Sequence, residues 1–143
     1  MKFTLIIDNR HEEEVIVYAH KKTALVEQIE QLSACNSPEI IGFEDKTAVK
    51  LDVKDIHCFI CEDNKIYALT GNKKYRIKMR LYILEEQLGG NFIKINQSCI
   101  ANIAMLERFV PSVYGSVTAV FKNGYTDYIS RRNLKNVKER LGI

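Results

Sequence analysis

The sequence lacks any long apolar segment of the kind that enters or crosses a membrane. None of its apolar runs approaches the roughly 20 residues that a membrane-spanning helix needs. The opening MKFTLIIDNR has only five consecutive apolar or near-apolar residues before Asp8, too few for a signal peptide. We therefore expect a cytoplasmic protein. With 143 residues, 46% hydrophobic and 27% charged, the chain is expected to fold as one domain with at most a small extension.

Cysteines are few, and their spacing favours neither disulfides nor a metal site. The four are Cys35, Cys58, Cys61 and Cys99. Cys58 and Cys61 have the CxxC spacing of zinc and redox sites and follow His57. However, IHCFIC is predicted to be a strand, where side chains three positions apart point to opposite faces. No second CxxC or HxxxH supplies a further ligand pair. We predict buried thiols and no metal or cofactor.

Motifs of catalytic sites are missing from the sequence as well. There is no GxSxG, no phosphate-binding glycine-rich loop and no HExxH. The three histidines, His11, His20 and His57, have no sequence neighbours that suggest a triad. The acidic run at residues 12–14 is predicted to be a solvated turn. We therefore do not expect an enzyme.

The sequence that is present predicts a small β-β-α extension followed by a mainly β domain. In residues 1–38, FTLIID and VIVYA are rich in strand-forming residues, and Thr23 can cap a helix from Ala24 to about Ala34. CNSPE, with Pro38, ends that helix. From Ile40 onward, short strands are predicted at IIGFE, TAVKLD, IHCFIC, IYALT, YRIKM, FIKI, LERFVPSV, SVTAVF and YTDYIS.

Turns and two helices complete the predicted domain over residues 39–143. Hairpin turns are expected at residues 63–65, 71–72 and 123–124, where Asn and Gly tolerate positive φ. A short mid-chain helix is predicted from Arg80 to Leu88, and a C-terminal helix from the Ser130 cap to Leu141. The fold class is mainly β (α+β).

Charge is distributed unevenly along the chain. Residues 1–55 hold seven Lys/Arg against eleven Asp/Glu, whereas residues 56–143 hold fourteen against seven. The net charge of +3 therefore combines an acidic first part and a basic second part. A basic part favours a polyanionic partner such as nucleic acid. Charge alone leaves open a solvated basic face without any partner.

Three short segments carry side chains suited to nucleic acid. The segment KINQS offers a lysine for phosphate, and amide side chains can form paired hydrogen bonds with a base edge, typically adenine. A hairpin tip and the first turn of the last helix supply further amides and cations, and backbone N–H groups at a helix start favour phosphate. Each segment alone is more often a plain turn or a solvated helix start. The candidates are Asn64, Lys65, Lys94, Asn96, Gln97, Ser98, Arg131, Arg132 and Asn133.

The second part of the chain resembles a LytTR DNA-binding domain. The resemblance runs from about Asp55 to the C-terminus, about three-fifths of the chain. Its most specific motifs are FIKINQSCIAN with Asn102, the KNG hairpin and ISRRNLKNVKERL. It implies an elongated arrangement of small antiparallel β-sheets with little helix. It also implies a sequence-specific transcription regulator that reads successive major grooves with loops.

The resemblance also assigns roles to residues and partners. It implies that Gln97 and Arg132 contact bases, with Lys94, Asn96, Ser98, Arg131 and Asn133 as neighbours, and that Asn64 and Lys65 supply a third contact. Many members have a basic residue at the position of Gln97, and a strand that often carries Glu has Ile60 here. The identity of the recognised bases therefore stays open.

Many members also carry a receiver domain, for which about 50 preceding residues are too few. The chain resembles short stand-alone regulators of this family, some of which are restrained by a small membrane protein. We expect double-stranded DNA with direct-repeat sites as the partner, a homodimer on DNA, and residues 1–38 as a regulatory or dimerising extension. Two alternatives stay open. One is an interaction or sensor module of the same fold without DNA binding, and the other is a metal, redox or enzymatic function.

Overall fold

The computed structural model describes residues 4–12, 14–34 and 39–143. The chain divides into two compact units, Met1–Asn36 and Ser37–Ile143. The predicted boundary between residues 38 and 39 differs from this division by two positions. The roles assigned to the two parts stay predictions. No helix in the described ranges is long and apolar enough to cross a membrane.

The described residues of the first unit include one helix, α1 (Ala24–Ala34), with the predicted bounds. Its start is capped as expected, because the Val26 N–H donates to the Thr23 hydroxyl oxygen at 3.4 Å. An ion pair of 2.8 Å between Lys22 and Glu30 joins the residues before the helix to its exposed face.

The two strands predicted in the first unit are not observed. The described residues of FTLIID and VIVYA, 4–8 and 15–19, belong to no strand ladder. Phe3 lies outside the described residues. An isolated two-stranded hairpin is at best marginally stable in water, and strand propensity does not suffice without a third strand or a helix packed on the apolar face. The β-β-α extension is therefore observed only in its helix.

The second unit contains ten strands and two further helices, all within residues 39–143. The strands are β1 (Ile40–Glu44), β2 (Thr47–Leu51), β3 (Cys58–Glu62), β4 (Lys65–Leu69), β5 (Lys74–Ile77), β6 (Phe92–Asn96), β7 (Cys99–Asn102), β8 (Leu106–Pro111), β9 (Val117–Phe121) and β10 (Thr126–Ile129). The helices are α2 (Leu81–Gln87) and α3 (Arg131–Leu141), and short 3-10 helices span Val53–Asp55 and Ile103–Met105. The mainly β prediction and the two helices are confirmed.

The strands form two antiparallel sheets. The larger sheet has the order β2-β1-β5-β4-β3-β7-β6, and the smaller one has the order β10-β9-β8. Gly42 lies on β1 where strands approach closely, since a Cβ there would come within 2.6 Å of the Leu51 side chain and 2.7 Å of Tyr75 Cβ. This strand glycine therefore serves close packing rather than a turn.

Two apolar clusters stabilise the second unit, and the larger sheet separates them. One cluster includes Phe121 and Val137 and joins this sheet to the smaller sheet and α3. The other includes Phe59 and Leu84 and lies under α2. Cys58 belongs to the first cluster, whereas the half-buried Cys61 packs against the second. The prediction that these two thiols point to opposite faces of their strand is confirmed.

Candidate nucleic-acid interface

The hairpin between β6 and β7 has a two-residue loop, Gln97–Ser98, and both residues are exposed. The strand before it is irregular, because the pairing register shifts between Lys94 and Asn96. Such a bulge bends a strand and redirects its side chains. The loop thus presents Gln97 to solvent at the end of a buried strand pair.

Asn96, one of the predicted DNA-contacting side chains, is buried. It is only 1% exposed. Its Nδ2 donates to Asp127 Oδ1 at 3.0 Å and to the Tyr128 carbonyl at 2.8 Å. Its Oδ1 accepts from the Ser98 N–H at 2.8 Å, as in an Asx turn. Because both ends of the amide are engaged inside the protein, Asn96 holds the shape of the Gln97–Ser98 loop.

Asp127 is the centre of the polar network beneath this loop, and sequence reasoning missed it. Besides Asn96, its carboxylate accepts from the Tyr125 hydroxyl at 3.1 Å and from the Tyr128 N–H at 2.8 Å. Burial, and then the charge of Asp127, raise the pKa of Tyr125 above its usual value. A hydrogen bond with Cys58, and then burial, raise the pKa of the nearby Cys99 thiol. The Asp127 carboxylate is therefore surrounded by neutral hydrogen-bond donors.

The start of α3 lies next to the same loop. The Ser130 N–H donates to the Ile95 carbonyl at 2.8 Å. The Ser130 hydroxyl oxygen caps the helix, accepting from the Asn133 N–H at 3.3 Å and from its Nδ2 at 2.8 Å. Arg131 and Arg132 are exposed, and among the described residues neither forms an ion pair. Asn133 thus completes the cap, while the two arginines remain available to a ligand.

The hairpin tip between β3 and β4 ends on the same side of the larger sheet. Asp63 and Asn64 both have positive φ, 51° and 61°, as the predicted tight turn requires. The Cys61 N–H donates to the Ser98 carbonyl at 2.8 Å, which sets this tip beside the Gln97–Ser98 loop. Asn64 and Lys65 are both exposed.

Lys94 differs from the other predicted cations in its surroundings. By strand alternation it lies on the face of β6 opposite Ile93 and Ile95, which belong to the cluster against α3. Its ammonium is 3.9 Å from the Glu85 carboxylate of α2. Its charge is therefore partly compensated within the protein.

A second group of cations lies on the open face of β1, β4 and β5. Lys74 and Lys78 lie 4.3 Å over the rings of Tyr67 and Phe43, respectively. They line an open cleft of about 610 Å³ together with Arg76. In the sequence, the alternating cations of KYRIK indicate that these three side chains share one face of a strand, but no role was predicted for them.

The structure brings together most of the predicted side chains and separates two of them. The Gln97–Ser98 loop, the first turn of α3 and the Asn64–Lys65 tip are joined by the hydrogen bonds described above. They form one exposed, predominantly basic edge with protruding amide and guanidinium groups. Lys94 points to the other face of its strand, and Asn96 is buried.

Comparison with known families and sequences gives concordant matches. The family model of the LytTr DNA-binding domain matches residues 46–142. An uncharacterized HTH-type transcriptional regulator of Staphylococcus aureus strain NCTC 8325 is 34% identical over 148 residues, covering 100% of this chain and 99% of the relative. A regulator of the same description from strain MRSA252 has the same identity and coverage. The similarity to these relatives thus includes the first unit.

A solved structure shares the fold of most of this chain. The LytTr DNA-binding domain of a response regulator from Bacillus cereus aligns with a TM-score of 0.69 at 17% identity, covering 74% of this chain and 99% of that one. Although the relatives' names include HTH, five strands separate α2 from α3 within residues 39–143, so these two helices do not form a helix-turn-helix.

Proposed function

The chain belongs to the LytTR family of DNA-binding domains, and we propose that it is a sequence-specific transcription regulator of the cytoplasm that reads successive major grooves. The family is a class of DNA-binding regulatory domains and not a class of enzymes. The observation that carries the proposal is the convergence of two exposed hairpin loops and the first turn of α3 on one edge. Hydrogen bonds between buried strands and these elements fix their mutual positions, as base reading requires.

Within this edge, Gln97 and Arg132 are assigned to bases. A glutamine amide can pair with N6 and N7 of adenine, and an arginine can donate to O6 and N7 of guanine. Both side chains are exposed and lie on neighbouring elements. The loop residue Ser98 and the tip residue Asn64 flank them and are assigned to the same groove edges.

Lys65 and Arg131 are assigned to phosphates, because each is exposed and without an ion pair among the described residues. Lys94 is a weaker phosphate ligand in this proposal, since Glu85 shares its charge. Asn96 and Asp127 position the loop, and Asn133 supports the helix start. The α3 N-terminus adds backbone N–H groups that favour a phosphate oxygen.

The partners in this proposal are double-stranded DNA with direct-repeat sites, a second copy of the chain on that DNA, and a small membrane protein that restrains the regulator. The last of these is supported only by the resemblance to short stand-alone regulators. A regulator with a single reading edge per copy gains specificity by binding two half-sites, because two modest affinities combine on one DNA.

Enrichment of bound fragments from random double-stranded DNA tests the proposal directly. We expect the full chain to recover a short sequence repeated in the same orientation, with centres about one helical turn apart. Binding that depends only on salt, with no enriched sequence, would contradict sequence-specific reading. Absence of DNA binding even at low salt would favour an interaction or sensor module of the same fold.

A further inference from the structure

The first unit exposes an unusual number of large apolar side chains for its size. Ile6 is 80% exposed, and Ile16 is 62% exposed. Among the described residues of this unit, the exposed large apolar side chains are Leu5, Ile6, Ile7, Val15, Ile16, Val17, Tyr18 and Leu25. Single exposed apolar residues are ordinary, but two consecutive runs in one short unit mark an interaction surface.

Most of these apolar side chains belong to two segments that have high strand propensity but form no hydrogen-bonded ladder with another strand. Residues 4–8 and 15–19 are rich in the β-branched and aromatic residues that favour strands. In the described part of the chain, however, neither segment belongs to a ladder. Extended segments of this kind gain main-chain hydrogen bonds when another strand is added beside them.

The size of the unit explains why it does not complete a fold alone. It spans 36 residues, Met1–Asn36, and chains below about 40 residues usually need disulfides, metals or oligomerisation to fold. Two copies would supply four strands and two helices. An independently stable sheet needs three or more strands with an apolar face, or packing against a helix, and two copies would meet this requirement.

Charge narrows the choice of occupant for this surface. Residues 1–36 carry four Lys/Arg against six Asp/Glu, and this acidic balance disfavours DNA and anionic membrane surfaces as partners. The LytTr family model matches residues 46–142 and so leaves out the first unit, whereas the Staphylococcus aureus relative aligns along all of this chain. The unit is thus an addition to the DNA-binding fold that stand-alone relatives share.

We propose that the first unit is a homodimerisation module, in which residues 4–8 and 15–19 of two copies pair into one sheet and bury their apolar side chains. A second copy presents identical segments, so in a two-fold symmetric interface the same residues of both chains are paired and buried. The dimer of the proposed function would be held together by this surface, and it would form without DNA.

The test uses a full-length double variant, Ile6→Glu with Ile16→Glu, and a matched control, Val113→Glu. All three positions are exposed apolar residues in the monomer, and Val113 (98% exposed) lies in the second unit. Charge at these positions is therefore tolerated by the isolated chain. Sedimentation velocity without DNA is measured over a wide range of concentration, with circular dichroism and nonspecific DNA binding confirming that the second unit is folded.

The wild type and the Val113→Glu control are expected at twice the 16.5 kDa mass of one chain, and the double variant at 16.5 kDa. Hydrogen exchange at residues 4–8 and 15–19 of the wild type is expected to slow as concentration rises. A wild type that stays monomeric, a double variant that stays dimeric, or exchange protection independent of concentration would overturn the proposal. Failure of the DNA-binding function would instead appear as loss of operator selectivity in a chain that still dimerises.

Discussion

Replacing the buried Asn96 by alanine is expected to lower base selectivity, because its side chain holds the loop that presents Gln97. The substitution deletes three hydrogen bonds, to Asp127, to the Tyr128 carbonyl and from the Ser98 N–H. A neutral hydrogen bond contributes about 1 kcal/mol net, and one to a charged group contributes about 1.5–3 kcal/mol. Because the exposed Ser98 N–H can bond water instead, we expect a loss of about 2–4 kcal/mol in the free energy of unfolding.

Asn123→Ala is a matched control for this loss. Asn123 is also a hairpin asparagine with backbone partners, accepting from the Tyr125 N–H at 3.0 Å and donating to the Thr70 carbonyl at 3.1 Å. Its two neutral hydrogen bonds contribute about 2 kcal/mol. It lies in the β9–β10 turn, away from the Gln97–Ser98 loop. The control therefore lowers stability without releasing the reading loop.

The assay combines urea unfolding with affinity for operator and scrambled DNA, measured well below the melting temperature. We expect Asn96→Ala to lower the ratio of operator to scrambled affinity by about tenfold, as if one base contact were lost. The Asn123→Ala ratio should match the wild type. An unchanged ratio for Asn96→Ala, or an equal fall in both variants, would refute the positioning role.

Three further predictions concern titration, thiol reactivity and phosphate contacts. Burial, and then the charge of Lys122, lower the pKa of His57 below 6.5. The unfolded chain therefore takes up a proton below about pH 6.5 that the folded chain does not, so the free energy of unfolding should fall as the pH decreases below this value. A His57→Gln variant should have a flatter stability profile from pH titration of urea unfolding, and identical profiles would contradict this. Alkylation followed by mass spectrometry should modify the half-buried Cys61 before Cys99, because a hydrogen bond with Cys58, and then burial, raise the pKa of the Cys99 thiol. Modification of Cys99 before Cys61 would argue against the buried network. Neutralising Lys65 or Arg131 should lower the affinity for DNA equally for all DNA sequences and flatten the slope of log K against log salt by about 0.9 for each lost contact. An unchanged slope in both variants would contradict the assignment of these residues to phosphates.

The sequence predicted most of the second unit because its signals are local. Alternating apolar residues define the strands from Ile40 to Ile129, and special turn residues such as Asn64 and Gly124 have the positive φ that their hairpins require. The Ser130 cap likewise begins α3, which ends at Leu141 as predicted. These features depend on neighbours in sequence, and they were correctly placed.

The sequence did not predict features that depend on contacts between distant segments. Asn96 and Gln97 are adjacent amides with similar chemistry, but Asn96 is held inside by two partners far along the chain, the Asp127 carboxylate 31 positions away and the Tyr128 carbonyl 32 positions away. A signal did exist, since Asp127 falls between Tyr125 and Ile129 in the inward register of its strand. The first-unit strands were wrong for a related reason, because strand propensity cannot supply the partner that pairing needs.

The central claim is that Gln97 and Arg132 read bases, and one affinity measurement tests it most directly. Gln97→Ala and Arg132→Ala are compared on operator and scrambled DNA at one salt concentration, with Gln87→Ala and Arg108→Ala as exposed controls of the same residue types. Each lost base contact removes about 1–3 kcal/mol of discrimination, so operator affinity should fall about ten- to a hundredfold while scrambled DNA binds almost as before. The two controls should leave both affinities unchanged. Equal losses on both DNAs for Gln97→Ala and Arg132→Ala would contradict base reading and would show that these side chains only contact the DNA backbone.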